Sequence, residues 1–213
     1  MVLKIIKDFV RHLINSIFSL KREVKLGFYG PPNGGKTTLA NKICTDWIGE
    51  EIGTVSKVPH ETRSVKVKEK VEIKYKGKKL TFKIADTPGI TTKLDYEDFL
   101  KFGLPKPEAK RRAKEATKGV IESIKWLEDM DMIVLVLDAT ENPYNQVNVT
   151  IVGNIEARKI PLMIVANKMD MKKANLKKIQ AAFPEYDVVG ISAKEGKNLE
   201  EFYETLFSIV KKM

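Results

Sequence analysis

The sequence predicts a three-layer α/β fold, in which helices cover both faces of a mostly parallel sheet that has one antiparallel strand at its edge. Three observations predict it. A short apolar-rich segment, 24–29, runs into Gly30-Pro31-Pro32-Asn33-Gly34-Gly35-Lys36-Thr37-Thr38 and then into a helical period. Two purely apolar runs, 132–137 and 161–166, are each followed by a polar loop and a helix-forming stretch, the pattern of buried parallel strands. Residues 64–76 alternate apolar with charged, interrupted only around Glu69, the period of a strand with one wet face.

Length and composition set the bounds. At 213 residues the chain holds one full-sized domain, read as 23–213, preceded by a separate helical segment, 1–22. A net charge of +10 points to a polyanionic partner, either nucleic acid or an acidic membrane surface, with a well-solvated surface as the plainer reading. Glutamine is scarce while lysine and glutamate abound, a balance found in heat-adapted proteins. The single cysteine, Cys44, excludes an internal disulfide and fits a reducing cytosol. No run is long and apolar enough to span a bilayer, and charges at Lys4, Lys7, Asp8 and Arg11 interrupt what would be the apolar part of a secretory signal. The expected location is cytoplasmic, with peripheral membrane attachment left open.

In chain order, residues 2–20 have the period of an amphipathic helix. Val2, Ile5, Ile6, Phe9, Val10, Leu13, Ile14 and Ile17 share one face, and Lys4, Lys7 and Arg11 lie largely opposite. Such a helix could lie on an anionic membrane, dock into a partner or pack on its own domain. The segment 24–29 is the first strand and 38–44 the first turns of a helix. Residues 50–62 form a long loop. In 64–76, Val65, Val67, Val71, Ile73 and Tyr75 are expected on one face; Lys76-Gly77-Lys78 turns the chain back through Leu80, Phe82 and Ile84, making an antiparallel edge pair whose lysines either contact nucleic acid or discourage edge-to-edge pairing. Residues 90–107 read as irregular, broken by Gly103, Pro105 and Pro107. Helices are expected over 108–129, 146–158, 173–183 and 199–212, and strands over 132–137, 161–166 and 188–191. Lys110, Arg111, Arg112, Lys114 and Lys118 crowd the start of their helix, where cations oppose the macrodipole, and form the best candidate contact with RNA phosphate.

The glycine-rich stretch carries the chemistry. Gly30 and Gly35 bracket four residues and are followed by a lysine and a hydroxyl, the spacing of a phosphate-binding loop. Strand, loop and helix together aim backbone N–H groups and a helix dipole at one point. Lys36 would reach the β- and γ-phosphates, and the Thr37 hydroxyl would ligate Mg²⁺. Asp86, at the end of the returning strand in Asp86-Thr87-Pro88-Gly89, is placed to hold Mg²⁺ through a water, and Gly89 would let the backbone approach a γ-phosphate.

Further along, Asn167-Lys168-Met169-Asp170 resembles the guanine-specificity motif of GTPases, and Ser192-Ala193-Lys194 resembles their fifth motif. The resemblance implies that Asp170 accepts hydrogen bonds from guanine N1 and the 2-amino group, that the Lys168 stem covers the base, that Asn167 braces the phosphate loop and that the Ala193 N–H faces guanine O6. A carboxylate that adenine leaves unpaired disfavours an ATPase or kinase. By position, Thr62 in Pro59-His60-Glu61-Thr62-Arg63 matches the switch-one threonine that ligates Mg²⁺; His60 reads as solvent-exposed. From about Val24 onward the chain is similar to the Era-like branch of the translation-factor-related (TRAFAC) P-loop GTPases. That implies a P-loop NTPase G domain, with a nucleotide site from Asn33, Gly34, Gly35, Lys36, Thr37, Thr38, Asn167, Lys168, Asp170, Ser192, Ala193 and Lys194, and metal ligands Thr37, Thr62 and Asp86. Catalysis would rest on Lys36, Thr62, Gly89 and Asn33.

Several positions depart from family patterns. Ile90 stands where Ras-like proteins carry the water-orienting glutamine, and Asn33 matches the asparagine that helps some members of the branch bind K⁺. Gly34 and Thr37 replace the valine and serine common in relatives, and there is no room for a KH domain, so RNA contact would fall to the G domain or the first helix. The expected function is a Mg²⁺-dependent GTPase cycling between GTP and GDP states, slow alone and faster with K⁺ or a partner, with switches near 56–63 and 87–106. The partner expected is a ribosomal subunit or rRNA. The alternatives are a regulatory GTPase tethered to an anionic membrane through residues 2–20, and a nucleotide-gated scaffold with negligible turnover. Oligomeric state is left open.

Overall fold

The computed structural model describes residues 23–53, 62–76, 78–91 and 96–213. The expected helix over 2–20, the turn residue Gly77 and most of the expected switch one, including His60, lie outside the described residues. The elements are β1 (Glu23–Tyr29), α1 (Lys36–Ile48), β2 (Lys66–Tyr75), β3 (Lys78–Asp86), α2 (Tyr96–Leu100), α3 (Lys106–Trp126), β4 (Met132–Asp138), α4 (Gln146–Ala157), β5 (Leu162–Asn167), α5 (Leu176–Ala182), β6 (Asp187–Gly190) and α6 (Leu199–Lys212). The six strands form one sheet in the order β2-β3-β1-β4-β5-β6. Among the described strand pairs, β2–β3 is the antiparallel one, and β2 is an edge, as the alternation in 64–76 predicts.

Helices α1 and α6 cover one face through Leu39, Ile43, Phe202 and Leu206; α3, α4 and α5 cover the other through Ile124, Ile151, Ile155 and Ile179. The central strands β4 and β5 bury side chains on both faces, which is why they read as continuous apolar runs. Burying each such Leu, Ile or Val side chain contributes roughly 1.5–3 kcal/mol. Cys44 is among the fully buried side chains of the α1 face.

Four sequence expectations change. Val65 and Val67 do not share a face with Val71 and Ile73: a β-bulge between Lys68 and Val71, with Lys70 at φ 56°, puts the first pair against the α3–α5 layer and the second against the α1–α6 layer. The stretch 90–107 contains the short helix α2, and Pro107 sits in the first turn of α3, where a missing N–H is no loss. Helix α5 begins at Leu176 rather than 173, because the Asn175 side chain accepts the N–H of Lys178 as an N-cap while 168–174 form turns. The cation cluster on α3 is not uncompensated: Arg111 pairs with Glu108 and Glu115, Arg112 lies 4.0 Å from Glu108, and the Lys110 ammonium stands over the Tyr96 ring.

Candidate functional site

The loop after β1 turns tightly enough to press its main chain on its neighbours: a Cβ on Gly30, at φ 143°, would lie 2.3 Å from the Val136 carbonyl oxygen. Gly35 has φ 96°, and a Cβ there would lie 2.1 Å from Asn167 Nδ2. A side chain is excluded both by conformation and by space. Asn33 also adopts a left-handed conformation, φ 59°. Lys36, at the start of α1, is buried and donates to the carbonyls of Gly30 (3.2 Å) and Pro31 (2.9 Å). Burial pushes its ammonium down to about 8, a shift that nearby Asp86 partly opposes. Thr38 follows in the same first turn, half-buried.

The parallel pairing of β1 with β3 sets Phe28 beside Asp86 and so delivers Asp86 to the mouth of this loop. Thr37 Oγ1 donates to Asp86 Oδ2 at 2.7 Å and lies 3.0 Å from Thr62 Oγ1. The other carboxylate oxygen, Asp86 Oδ1, is buried with no hydrogen-bond partner among the described residues. Burial raises the Asp86 carboxyl, against the hydrogen bond from Thr37 and the charge of Lys36. A buried acceptor left open beside two hydroxyls is an all-oxygen donor set, which suits a hard divalent cation such as Mg²⁺.

Behind the carboxylate, Thr87 Oγ1 donates to the carbonyl of Phe28 at 2.7 Å. Gly89 packs on the loop itself: a Cβ would lie 2.8 Å from both Pro32 N and Cα. Ile90 donates its N–H to the Gly30 carbonyl and buries its side chain in the α3–α5 layer. Ser123 of α3 donates toward the carbonyls of Pro88 (3.1 Å) and Gly119 (2.9 Å) and accepts the Tyr29 hydroxyl at its own carbonyl.

The second motif cluster comes from the ends of β5 and β6. Asn167 donates through Nδ2 to the Gly34 carbonyl (2.9 Å) and accepts at Oδ1 the N–H of Ala193 (2.9 Å), so one amide spans the phosphate loop and both following loops. The Ala193 N–H, which the family resemblance directs at guanine O6, here meets the Asn167 amide oxygen. Asp170 accepts the Ser192 hydroxyl at 2.6 Å, which holds its carboxyl below the usual range. Lys168, at φ 67°, donates to Asp138 Oδ2 at 2.5 Å. Burial would raise the Asp138 carboxyl, but the hydrogen bonds from Lys168 and Thr140 outweigh it and lower it. Lys194 is largely exposed, its ammonium 3.5 Å from Glu195.

Two polar residues here escaped the sequence reading. Asp138 ends an apolar strand directly beside Asn167 in register, a position that flags it. Asn41 lies four residues after Thr37, on the same face of α1, and its burial could be read from that period.

Comparison with known proteins gives this geometry its family. The sequence profile of the family described as 50S ribosome-binding GTPase matches residues 25–168. GTPase Der from Sulfurihydrogenibium sp. (strain YO3AOP1) is 29% identical over 191 residues, covering 86% of this chain and 37% of that protein. The tRNA modification GTPase MnmE of Chlorobium chlorochromatii (strain CaD3) is 29% identical over 198 residues, covering 90% and 36%. GTPase Era of Alkaliphilus oremlandii (strain OhILAs) is 29% identical over 177 residues, covering 80% and 50%. The chain thus spans between 36% and 50% of the length of these three relatives. Among solved structures, an Era variant from Aquifex aeolicus bound to GDP and aluminium fluoride superposes with a TM-score of 0.67 at 24% identity, over 88% of this chain and 57% of that one. Era in complex with MgGDPNP and a piece of 16S ribosomal RNA gives the same values. The chain belongs to the 50S ribosome-binding GTPase family, as an Era-like P-loop GTPase domain.

Proposed function

We propose that this protein is a Mg²⁺-dependent GTPase switch that binds and hydrolyses GTP and acts on ribosome assembly or on RNA. The observation that carries the reading is the convergence of Thr37, Thr62 and the open Asp86 oxygen beside the buried Lys36. In this reading the N–H groups of Asn33, Gly34, Gly35, Lys36, Thr37 and Thr38 cradle the phosphates, and the Lys36 ammonium moves from loop carbonyls to phosphate oxygens. Thr37, Thr62 and Asp86 hold Mg²⁺, which when bound neutralises charge on the phosphate oxygens. Asp170, fixed by Ser192, reads guanine N1 and the 2-amino group. Lys168, pinned by Asp138, lays its stem along the base. Asn167 ties both halves of the site together, and the Ser192-Ala193-Lys194 loop closes it.

Hydrolysis has one missing part. Ile90 is buried and apolar, so it cannot orient an attacking water, and slow turnover is expected. The backbone of Gly89 is the group left to contact the γ-phosphate. Asn33 is proposed to help hold K⁺ beside the phosphates. Turnover measured in KCl against NaCl tests this: faster hydrolysis in KCl supports it, and equal rates remove Asn33 from the mechanism. Excess ATP that displaces labelled GTP would overturn the guanine reading.

The RNA-directed role is supported by the net charge of +10 and by the Era relative solved with 16S ribosomal RNA. Its surface here would be α3, where Lys106, Lys110, Lys114, Lys118 and Lys125 are solvent-exposed. Co-sedimentation of the GTP-analogue form with ribosomal subunits, and separately with anionic liposomes, with and without residues 1–20, decides the role. Nucleotide-dependent subunit binding that survives truncation supports it. Liposome binding lost on truncation, without subunit binding, overturns it in favour of a cytoplasmic switch peripheral to the membrane. Single-turnover hydrolysis that stays negligible with every partner would leave a nucleotide-gated scaffold.

A further inference from the structure

We infer that Asn41 is a positioning residue for the Mg²⁺ site, acting through the backbone of Gly53 on the methyl group of Thr37. The inference rests on the metal-site reading above. Asn41 is a buried polar side chain whose bonding capacity goes to one short loop: Nδ2 donates to the Gly53 carbonyl at 2.7 Å, and Oδ1 accepts the N–H groups of Ile52 and Gly53, each at 2.9 Å. A buried amide that makes three such bonds fixes the backbone it holds.

What it holds is the wall of the site. A Cβ on Gly53 would lie 2.9 Å from Thr37 Cγ2 and 3.4 Å from Asp86 Oδ2, so the Gly53 backbone is packed directly on the Thr37 methyl. Threonine carries its methyl and hydroxyl on the same carbon, and a rotation about χ1 that moves one moves the other. Gly53 packed on the methyl blocks rotation toward it, which favours the χ1 that directs the hydroxyl to Asp86 Oδ2 at 2.7 Å and Thr62 Oγ1 at 3.0 Å. Asn41 stands one helical turn after Thr37 on α1, so the residue that aims the hydroxyl and the hydroxyl itself ride on one rigid element. A serine at position 37 would lack the methyl, and the coupling would vanish with it.

The test is the Mg²⁺ concentration that half-retards release of bound fluorescent GDP, compared with GDP affinity in excess EDTA. In the wild type, release should slow as Mg²⁺ is added. Asn41→Ala should raise the midpoint about five- to tenfold while leaving affinity in EDTA unchanged, a separation that general destabilisation would not produce. Gly53→Ala, which forces a Cβ onto the methyl, should shift the midpoint the same way and serves if Asn41→Ala does not fold. In a Thr37→Ser background both shifts should largely disappear. A Mg²⁺-sensitive wild type with an unmoved midpoint in both variants overturns this inference alone, as does an undiminished shift in the Thr37→Ser background. GDP release that ignores Mg²⁺ in the wild type overturns the metal-site reading and this inference with it.

Discussion

Lys36 shows how a single residue links the site to stability. Its ordinary value is 10.5, and burial lowers it to about 8 in the folded protein. Below about 8 it is charged in both states, and burying that charge weighs against folding. Between about 8 and 10.5 the folded protein has released the proton while the unfolded chain keeps it, so the unfolded state binds more protons and stability climbs with pH. Urea unfolding of the nucleotide-free protein should therefore show the wild type gaining on Lys36→Met across that window. The comparison with the variant matters, because the Cys44 thiol, pushed up to about 11 by burial, gives a loss of stability above pH 9 in both proteins. At the neighbouring site, Asp138→Asn should unpin Lys168 and weaken GDP binding about three- to tenfold by fluorescence titration, with unfolding little changed. The phosphate-loop residues stood out by their spacing, and the Asn167–Asp170 and Ser192–Lys194 stretches by their family resemblance. Asp138 and Asn41 went unread because no motif spacing marks them; the place of one at the end of an apolar strand and that of the other on the period of a helix's buried face are the signals that point to them.

Among the elements, α3 and β2 carry the most information that sequence period missed. Helix α3 touches both ends of the site's irregular segments: Ser123 reaches the Pro88 carbonyl, Arg63 pairs with Glu115 at 3.1 Å, and a Cβ on Gly119 would lie 2.8 Å from the Arg63 carbonyl. Ser123→Ala should cost about 1 kcal/mol in urea unfolding and increase hydrogen exchange at 86–91, since the Pro88 carbonyl loses its donor. On β2, the bulge leaves Lys70 exposed at φ 56°, a conformation that a side chain resists. Lys70→Gly should raise stability by about 0.5–1 kcal/mol, measured by thermal unfolding. Strand and helix types were legible from period, including the edge position of β2. The bulge was not, because one inserted residue leaves alternation on either side intact while exchanging the faces. The α3 start was misplaced for a different reason: proline ends a helix from within but opens one from its first turn.

At the scale of the whole molecule, the mostly parallel sheet and its antiparallel edge followed from apolar runs and alternation, while the strand order and the charge distribution needed coordinates. Surface pairs such as Lys68–Glu50, Lys76–Glu204, Lys79–Glu72 and Lys83–Glu69 show that part of the lysine on the β2–β3 hairpin is matched locally. The excess is left for exposed faces such as that of α3. Fluorescence anisotropy with a single-stranded RNA should give a binding constant that falls as salt rises. Replacing Lys110, Lys114 and Lys118 with Gln should lessen that slope by about 0.7 for each phosphate contact removed. An unchanged slope would place RNA elsewhere. The Asn167 bridge carries a consequence for how the protein is made. Gly34 precedes Asn167 by 133 residues, and Ala193 follows Asn167 by 26 more. On the ribosome, the phosphate loop can exist long before anything braces it, and firm nucleotide capture must wait until β6 has left the exit tunnel.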